Sequence, residues 1–298
     1  MGASWSMAEE SGAAGPTGMA DLPEGCLAEV LARLEPAEIC RLARLSRAFR
    51  AAAAADFIWE AKLPRGYRRF LGRVLPHPGA EDGRNRNPKK GSGSGSKKEL
   101  YSRLCRPTLF DGGTKEFWLE KHSGGICISI SSKALSITMI DDRRYWNYVP
   151  TEESRFHTVA YLQQIWWLEV DGELDFYFPE GTYSLYFRLH LGRASRRLGR
   201  RINSPQHIHG WDIQPVRFQL STSDGQRAQS KCYLDDPGTW IHYHVGDFDV
   251  QDSEVSTKVK FSMIQIDCTH TKGGLCVDSV LVCPKGFQLE KEMPPLCA

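Results

Sequence analysis

The apolar residues of this chain change their period partway along, and that change constrains the fold more than any other feature. In "LPEGCLAEVLARLEPAEICRLARLSRAF", Leu27, Val30, Leu31 and Leu34 recur at the i, i+3, i+4, i+7 spacing of an amphipathic helix. In "GTYSLYFRLHLG", Tyr183, Leu185, Phe187, Leu189 and Leu191 alternate with Thr182, Ser184, Arg188 and His190, the period of a strand. The spacing predicts an α+β chain of two domains, a small helical unit and then a β-domain.

Residues 1–20 are rich in Gly, Ala and Ser without apolar periodicity and read as disordered. The helical unit occupies 21–64. A basic Gly/Ser-rich linker is expected over 65–106, clearest in "HPGAEDGRNRNPKKGSGSGSKKE", whose composition predicts a flexible tether. Strand signals fill 107–287, and a Pro-containing tail covers 288–298. "VAYLQQIWWLEV" reads as an interior strand, apolar on both faces. "VRFQLSTSDGQRAQSKCYL" carries Asp224-Gly225 between strand-like stretches, a hairpin signal. "KVKFSMIQID" and "GLCVDSVLVC" add strands, and the many short strands without alternating helices predict an antiparallel β-sandwich.

Several function classes are disfavoured. A net charge of +2 from 38 basic and 36 acidic residues does not suit a nucleic-acid coat protein, so nucleic acid is not an expected partner. No apolar run reaches the length of a membrane span, and residues 1–20 lack a secretory-signal pattern. Nine irregularly spaced cysteines argue for reduced thiols and a cytoplasmic or nuclear location. "MGASWS" places Gly2 and Ser6 as the N-myristoylation pattern requires.

Leu22-Pro23-Glu24 makes a good helix start, and Pro36 restarts the pattern so that Ile39, Leu42, Leu45 and Phe49 continue it on a second helix. A unit this small buries too little apolar area to offset its ordering entropy comfortably. Part of its stripe is therefore expected to meet another molecule, the alternative being its own β-domain. Leu-Pro at the start, the apolar ladder, Pro36, the Leu-Ser-Arg-x-Phe stretch at Leu45–Phe49 and the closing Phe57-Ile58-Trp59 together resemble an F-box. The resemblance implies docking on a Skp-type adaptor and, through it, a cullin. Leu22, Pro23, Leu27, Leu31, Leu34, Pro36, Ile39, Leu42 and Leu45 would form or support that face.

"ALSITMIDDRRYWNYVP" through "GTYSLYFRLHLGRAS" resembles the phloem protein 2 or Nictaba-type lectin domain of plants, over about 117–287. The resemblance implies a jelly-roll β-sandwich and carbohydrate binding. Sugar recognition needs an aromatic ring against a pyranose face with polar groups for its hydroxyls. Asp141, Asp142, Tyr145 and Trp146 offer those types within one loop; alternatively Tyr145 and Trp146 cap the core while the charges are solvated. The resemblance favours Trp146 as a sugar contact, since tobacco-type members use a tryptophan there and another seven residues earlier. Met139 stands at that earlier position, and alternation puts it with Leu135 and Ile137 on a core face.

His207/His209 and His242/His244 pair on strand faces, and Cys268, His270, Cys276 and Cys283 lack the spacing of a zinc module, so no metal site is expected. "GRASRRLGRR" reads as a solvated basic loop, the alternatives being a nuclear-import signal or a contact for acidic partners or nucleic acid. Glu169, Asp171, Glu173 and Asp175 form an acidic stretch, but no G-x-S-x-G, H-E-x-x-H or phosphate-loop motif appears. The expectation is a non-catalytic substrate-recognition subunit of a Skp–cullin–F-box ubiquitin ligase, without a cofactor, whose sandwich captures a glycoprotein or other target. The competing expectation is a lectin acting apart from ubiquitination, or a target-binding domain without sugar binding.

Overall fold

The computed structural model describes residues 22–75, 96–192 and 208–289, together with the backbone of 196–197 and 200–201. Gly2 and Ser6, the segment 1–20, most of the Gly/Ser-rich run, His207, the side chains of the "GRASRRLGRR" arginines and the tail beyond 289 lie outside the described residues.

Helix α1 (Glu24–Leu31) begins after Pro23, with Glu24 at the positive end of its dipole. Pro36 opens α2 (Pro36–Leu42), where Glu35 N–H donates to the Glu38 carboxylate at 3.2 Å in a capping box. The second helix expected to run through Phe49 is instead divided. Ser46 Oγ accepts from Phe49 N–H at 3.1 Å and starts α3 (Arg47–Ala52), leaving Leu45 in the turn. Helix α4 (Asp56–Lys62) follows, and Trp59 donates its ring N–H to Ala53 O at 2.8 Å. Leu27, Leu31, Ile39, Ile58 and Trp59 fill the interior of this unit.

The expected linker over 65–106 is corrected at both ends. Helices α5 (Arg68–Val74) and α6 (Lys97–Leu104) lie within it, because Phe70/Val74 and Tyr101/Leu104 supply buried positions at helical spacing. Helix α5 packs on the strand Thr108–Phe110 and α6 on the strand Lys115–Leu119, so both hold the helical unit to the sandwich. Phe70 sits 5.3 Å from Phe117 and 5.3 Å from Phe176, centroid to centroid. Tyr101 packs on Trp59 at 5.4 Å, and Lys97 joins Glu60 at 2.7 Å. Arg73 clamps Asp111 at 2.5–3.0 Å and donates to Asp175 O at 2.8 Å, while Arg69 pairs with Glu254. One apolar core runs through both parts.

The strands are β1 (Thr108–Phe110), β2 (Lys115–Leu119), β3 (Ile126–Ser131), β4 (Ser136–Ile137), β5 (Trp146–Pro150), β6 (Thr158–Leu162), β7 (Leu168–Phe176), β8 (Gly181–Leu191), β9 (Arg196–Arg197), β10 (Arg200–Arg201), β11 (Val216–Thr222), β12 (Arg227–Cys232), β13 (Trp240–Val250), β14 (Thr257–Gln265) and β15 (Leu275–Pro284). In the larger sheet β15 pairs with β8 along one edge, and with β3 and β6 in succession along the other. Strands β1-β2-β3 extend that sheet, β5 adds to β6, and β13 pairs with β8. The smaller sheet has the order β12-β11-β14-β7-β4, and all of these pairings are antiparallel. Phe187 of β8 meets Phe218 of β11 at 5.6 Å and Phe261 of β14 at 5.9 Å, so the two inner faces close on each other as a sandwich. Asp224-Gly225 does turn the β11–β12 hairpin, with Gly225 at φ +92°.

"VAYLQQIWWLEV" is not one interior strand. Its first half is β6 in the larger sheet, its last residues begin β7 in the smaller one, and Trp166 and Trp167 between them are 53% and 45% exposed. The crossing is pinned by Lys272, which is fully buried and donates to Trp166 O at 2.8 Å and Gln265 O at 3.0 Å. Backbone carbonyls stripped of water need such a donor.

Candidate functional site

Two surfaces follow from this architecture, one on the helices and one on the sandwich. On the helical unit, the nine residues expected at the adaptor face divide by burial. Leu27, Leu31, Pro36 and Ile39 are interior, and Leu34 and Leu42 are half-buried against them. Leu22 (43% exposed), Pro23 and Leu45 (72% exposed) remain outside. Exposed with them are Cys26 and Val30, which follow Leu22 at intervals of four along α1, and Phe57 of α4. The unit thus fills its core and still shows apolar side chains to solvent.

At the "DDRRYWNY" loop the core-capping alternative holds for Trp146, and the core expectation for Met139 is corrected. Trp146 is 1% exposed and donates its ring N–H to Thr138 O at 3.0 Å. Its ring has no open face for a pyranose, because it is buried in the main apolar core although β5 itself ends the larger sheet. Met139, expected in the core, is 49% exposed at φ +63°. The alternation that assigned it inward stops at Ile137, where β4 ends and a turn begins. Tyr145 is half-buried against the core, with the Arg144 guanidinium 5.5 Å from its ring centre.

Asp142 builds the turn. Its backbone carbonyl accepts from Tyr145 N–H at 2.9 Å and Trp146 N–H at 3.1 Å. Its carboxylate accepts from Arg144 Nη2 at 2.6 Å, and these Arg144 contacts hold the carboxyl below its ordinary range. Asp142 is thereby engaged within its own loop, while Asp141 faces solvent.

The remaining constellations resolve as follows. His244 meets Asp247 at 2.9 Å, whereas His242 is pushed down to about 4 by burial and by the charges of Arg188 and Arg155, and so stays neutral. No cluster of three or more His, Cys, Asp or Glu side chains suited to a metal occurs among the described residues. Cys276 and Cys283 are buried and Cys268 is exposed. Among the described residues no helix is long and apolar enough to cross a membrane.

Sequence reasoning missed the exposed Trp166–Trp167 pair and the outer face of the smaller sheet beside it. One signal was present: two adjacent tryptophans in a strand cannot both point to one face. Trp167 donates toward Glu169 at 3.4 Å, and Asp171 and Glu173 continue the outward side of β7. Burial and the neighbouring Glu169 raise the Asp171 carboxyl above its ordinary range.

A helical unit with apolar side chains left over, fastened to an antiparallel sandwich with a polar outer face, defines a protein of the F-box-plus-sandwich class. Comparison with known families agrees with that division: the F-box-like family matches residues 19–63, and the Phloem protein 2 family matches residues 125–284. The chain belongs to the phloem protein 2 family of F-box proteins. It is 60% identical to F-box protein PP2-A13 of Arabidopsis thaliana, over 90% of this chain and 88% of that one. F-box protein PP2-A12 of the same plant is 55% identical over the same shares. F-box protein PP2-B15 is 28% identical over 90% of this chain and 98% of its own.

Proposed function

We propose that this chain is the substrate-recognition subunit of a Skp–cullin–F-box ubiquitin ligase, with the sandwich capturing a glycan-bearing target in the cytoplasm or nucleus. It performs no bond chemistry itself and acts by holding target lysines near the conjugating enzyme. The observation that carries this reading is the apolar surface remaining on the helices, Leu22, Val30, Leu45 and Phe57, after Leu27, Leu31 and Ile39 have filled the core. Exposed residues of this size are the anchors an adaptor interface needs. The contacts of α5 and α6 with the strands support a receptor that presents its target at a fixed distance from the adaptor, in place of the expected tether.

Leu45→Asp is the direct test, because at 72% exposure the change leaves the core untouched. Co-purification with a Skp-type adaptor is expected to fall at least tenfold while the circular dichroism stays that of wild type. Undiminished capture by this variant and by Val30→Asp would refute the adaptor role. Leu31→Asp cannot serve, since Leu31 is fully buried and a charge there unfolds the unit.

A second reading, a protein target recognised without sugar, is favoured by the burial of Trp146, which removes the stacking ring that the family resemblance implied.

A further inference from the structure

The outer face of the five-stranded sheet carries a regular pattern. Ser136 is in register with Asp171, Asp171 with Ser262, Ser262 with Gln219, and Gln219 with Gln229. These five outward side chains therefore form a single row crossing every strand of the smaller sheet. With strands about 4.8 Å apart, the row is about 19 Å long. It runs through a groove of about 800 Å³, lined by the row, by Glu173, Ser221, Arg227 and Lys260 beside it, and by Ala134, Gly172, Leu220, Ala228 and Phe261.

We propose that this groove is the glycan site, and that it takes a neutral oligosaccharide lying across the strands, at a place distinct from the 139–148 loop. The inference rests on the glycan reading above.

The chemistry of the rows selects the ligand. Four of the five residues in the central row are hydroxyls or amides. Ser136, Asp171 and Ser262 make no side-chain hydrogen bond to another described residue, so their capacity is unspent. The Gln219–Gln229 contact at 3.2 Å uses one donor and one acceptor and leaves the rest of both amides available. On one side lies the row Glu169, Ile264, Arg217 and Lys231, and on the other Glu173, Lys260, Ser221 and Arg227. Acids thus lie on β7, and bases on β14, β11 and β12. A polyanion crossing the sheet would meet Glu169, Asp171 and Glu173, and a polycation would meet Lys260, Arg217, Arg227 and Lys231. A neutral chain of hydroxyls meets neither penalty and can donate to the Asp171 carboxylate. Trp167, on the same side of β7 as Glu169 and 45% exposed, adds a ring for a sugar face at one border.

Calorimetric titration of the full chain with neutral oligosaccharides of two to six units, and with a sulfated oligosaccharide of matched length, tests this. Affinity is expected to rise with length until the row is spanned, to fall at least tenfold in Ser262→Arg, and about threefold in Gln229→Ala. Gln229 lies exposed on an edge strand, so its variant keeps the test intact even where Ser262→Arg misfolds. Unchanged affinity in the variants that fold puts the sugar elsewhere on the sandwich: the groove is then wrong and the glycan reading stands. Tighter binding of the sulfated chain overturns the neutral-ligand assignment. Absence of binding by every oligosaccharide overturns the groove and the glycan reading together.

Discussion

Replacing Phe70 by alanine separates a docked helical unit from a tethered one. Phe70 is 1% exposed and lies between Phe117 and Phe176, two rings of the sandwich. Deleting a buried phenylalanine costs about 3–5 kcal/mol through lost transfer energy and the cavity left behind. The polar contacts of the same junction are worth less. Arg73–Asp111 and Arg69–Glu254 are partly exposed pairs, and such pairs contribute about 0.2–1 kcal/mol each. Burial therefore dominates, and Phe70→Ala should destabilise the chain several times more than Arg73→Ala. For a chain of this size that corresponds to a fall in Tm of roughly 6–20 °C. Urea unfolding followed by far-UV circular dichroism measures the loss, and small-angle scattering reports whether the helical unit leaves the strands. The expected variant is less stable, unfolds in two transitions and has a larger radius of gyration. An effect no larger than that of Arg73→Ala, with an unchanged scattering profile, would refute the claim that the rings hold the two parts together.

Two further outcomes follow from the same packing. Trp146→Ala is expected to cost about 3–5 kcal/mol, because the ring is buried and donates to Thr138 O; a folded variant of wild-type stability that selectively lost sugar binding would restore the platform reading. The hydrogen bonds from Arg73, then Lys115, pull the Asp111 carboxyl from its ordinary 3.8 down to about 2. A folded-state value below the unfolded one stabilises the native chain above about pH 4, and this contribution fades as the pH falls toward 2. The stability difference between wild type and Asp111→Asn should therefore be level above pH 5 and shrink below pH 4. A difference that grows on acidification would contradict the assignment.

The F-box helices and most strands were legible because their signals are local. Pro36 and the four-residue apolar spacing specify helices, and alternation in "GTYSLYFRLHLG" specifies β8 and its inward face. The two helices inside the expected linker were harder to see. Phe70, Val74, Tyr101 and Leu104 are few apolar residues beside a long Gly/Ser/Lys stretch, and they become helical cores only against Phe117, Phe176 and Trp59.

The site divides in the same manner. The amino-acid order by itself determined which residue types alternate, hence that β7 would show Glu169, Asp171 and Glu173 to one side. Only the tertiary structure decided that Trp146 is interior and Met139 is not, and that Ser136, Asp171, Ser262, Gln219 and Gln229 share a row. Alternation comes from backbone dihedrals, which each residue sets with its neighbours. Burial and register come from pairing segments as far apart in the chain as Ile128 and Val282, and no local preference encodes which segment will lie opposite.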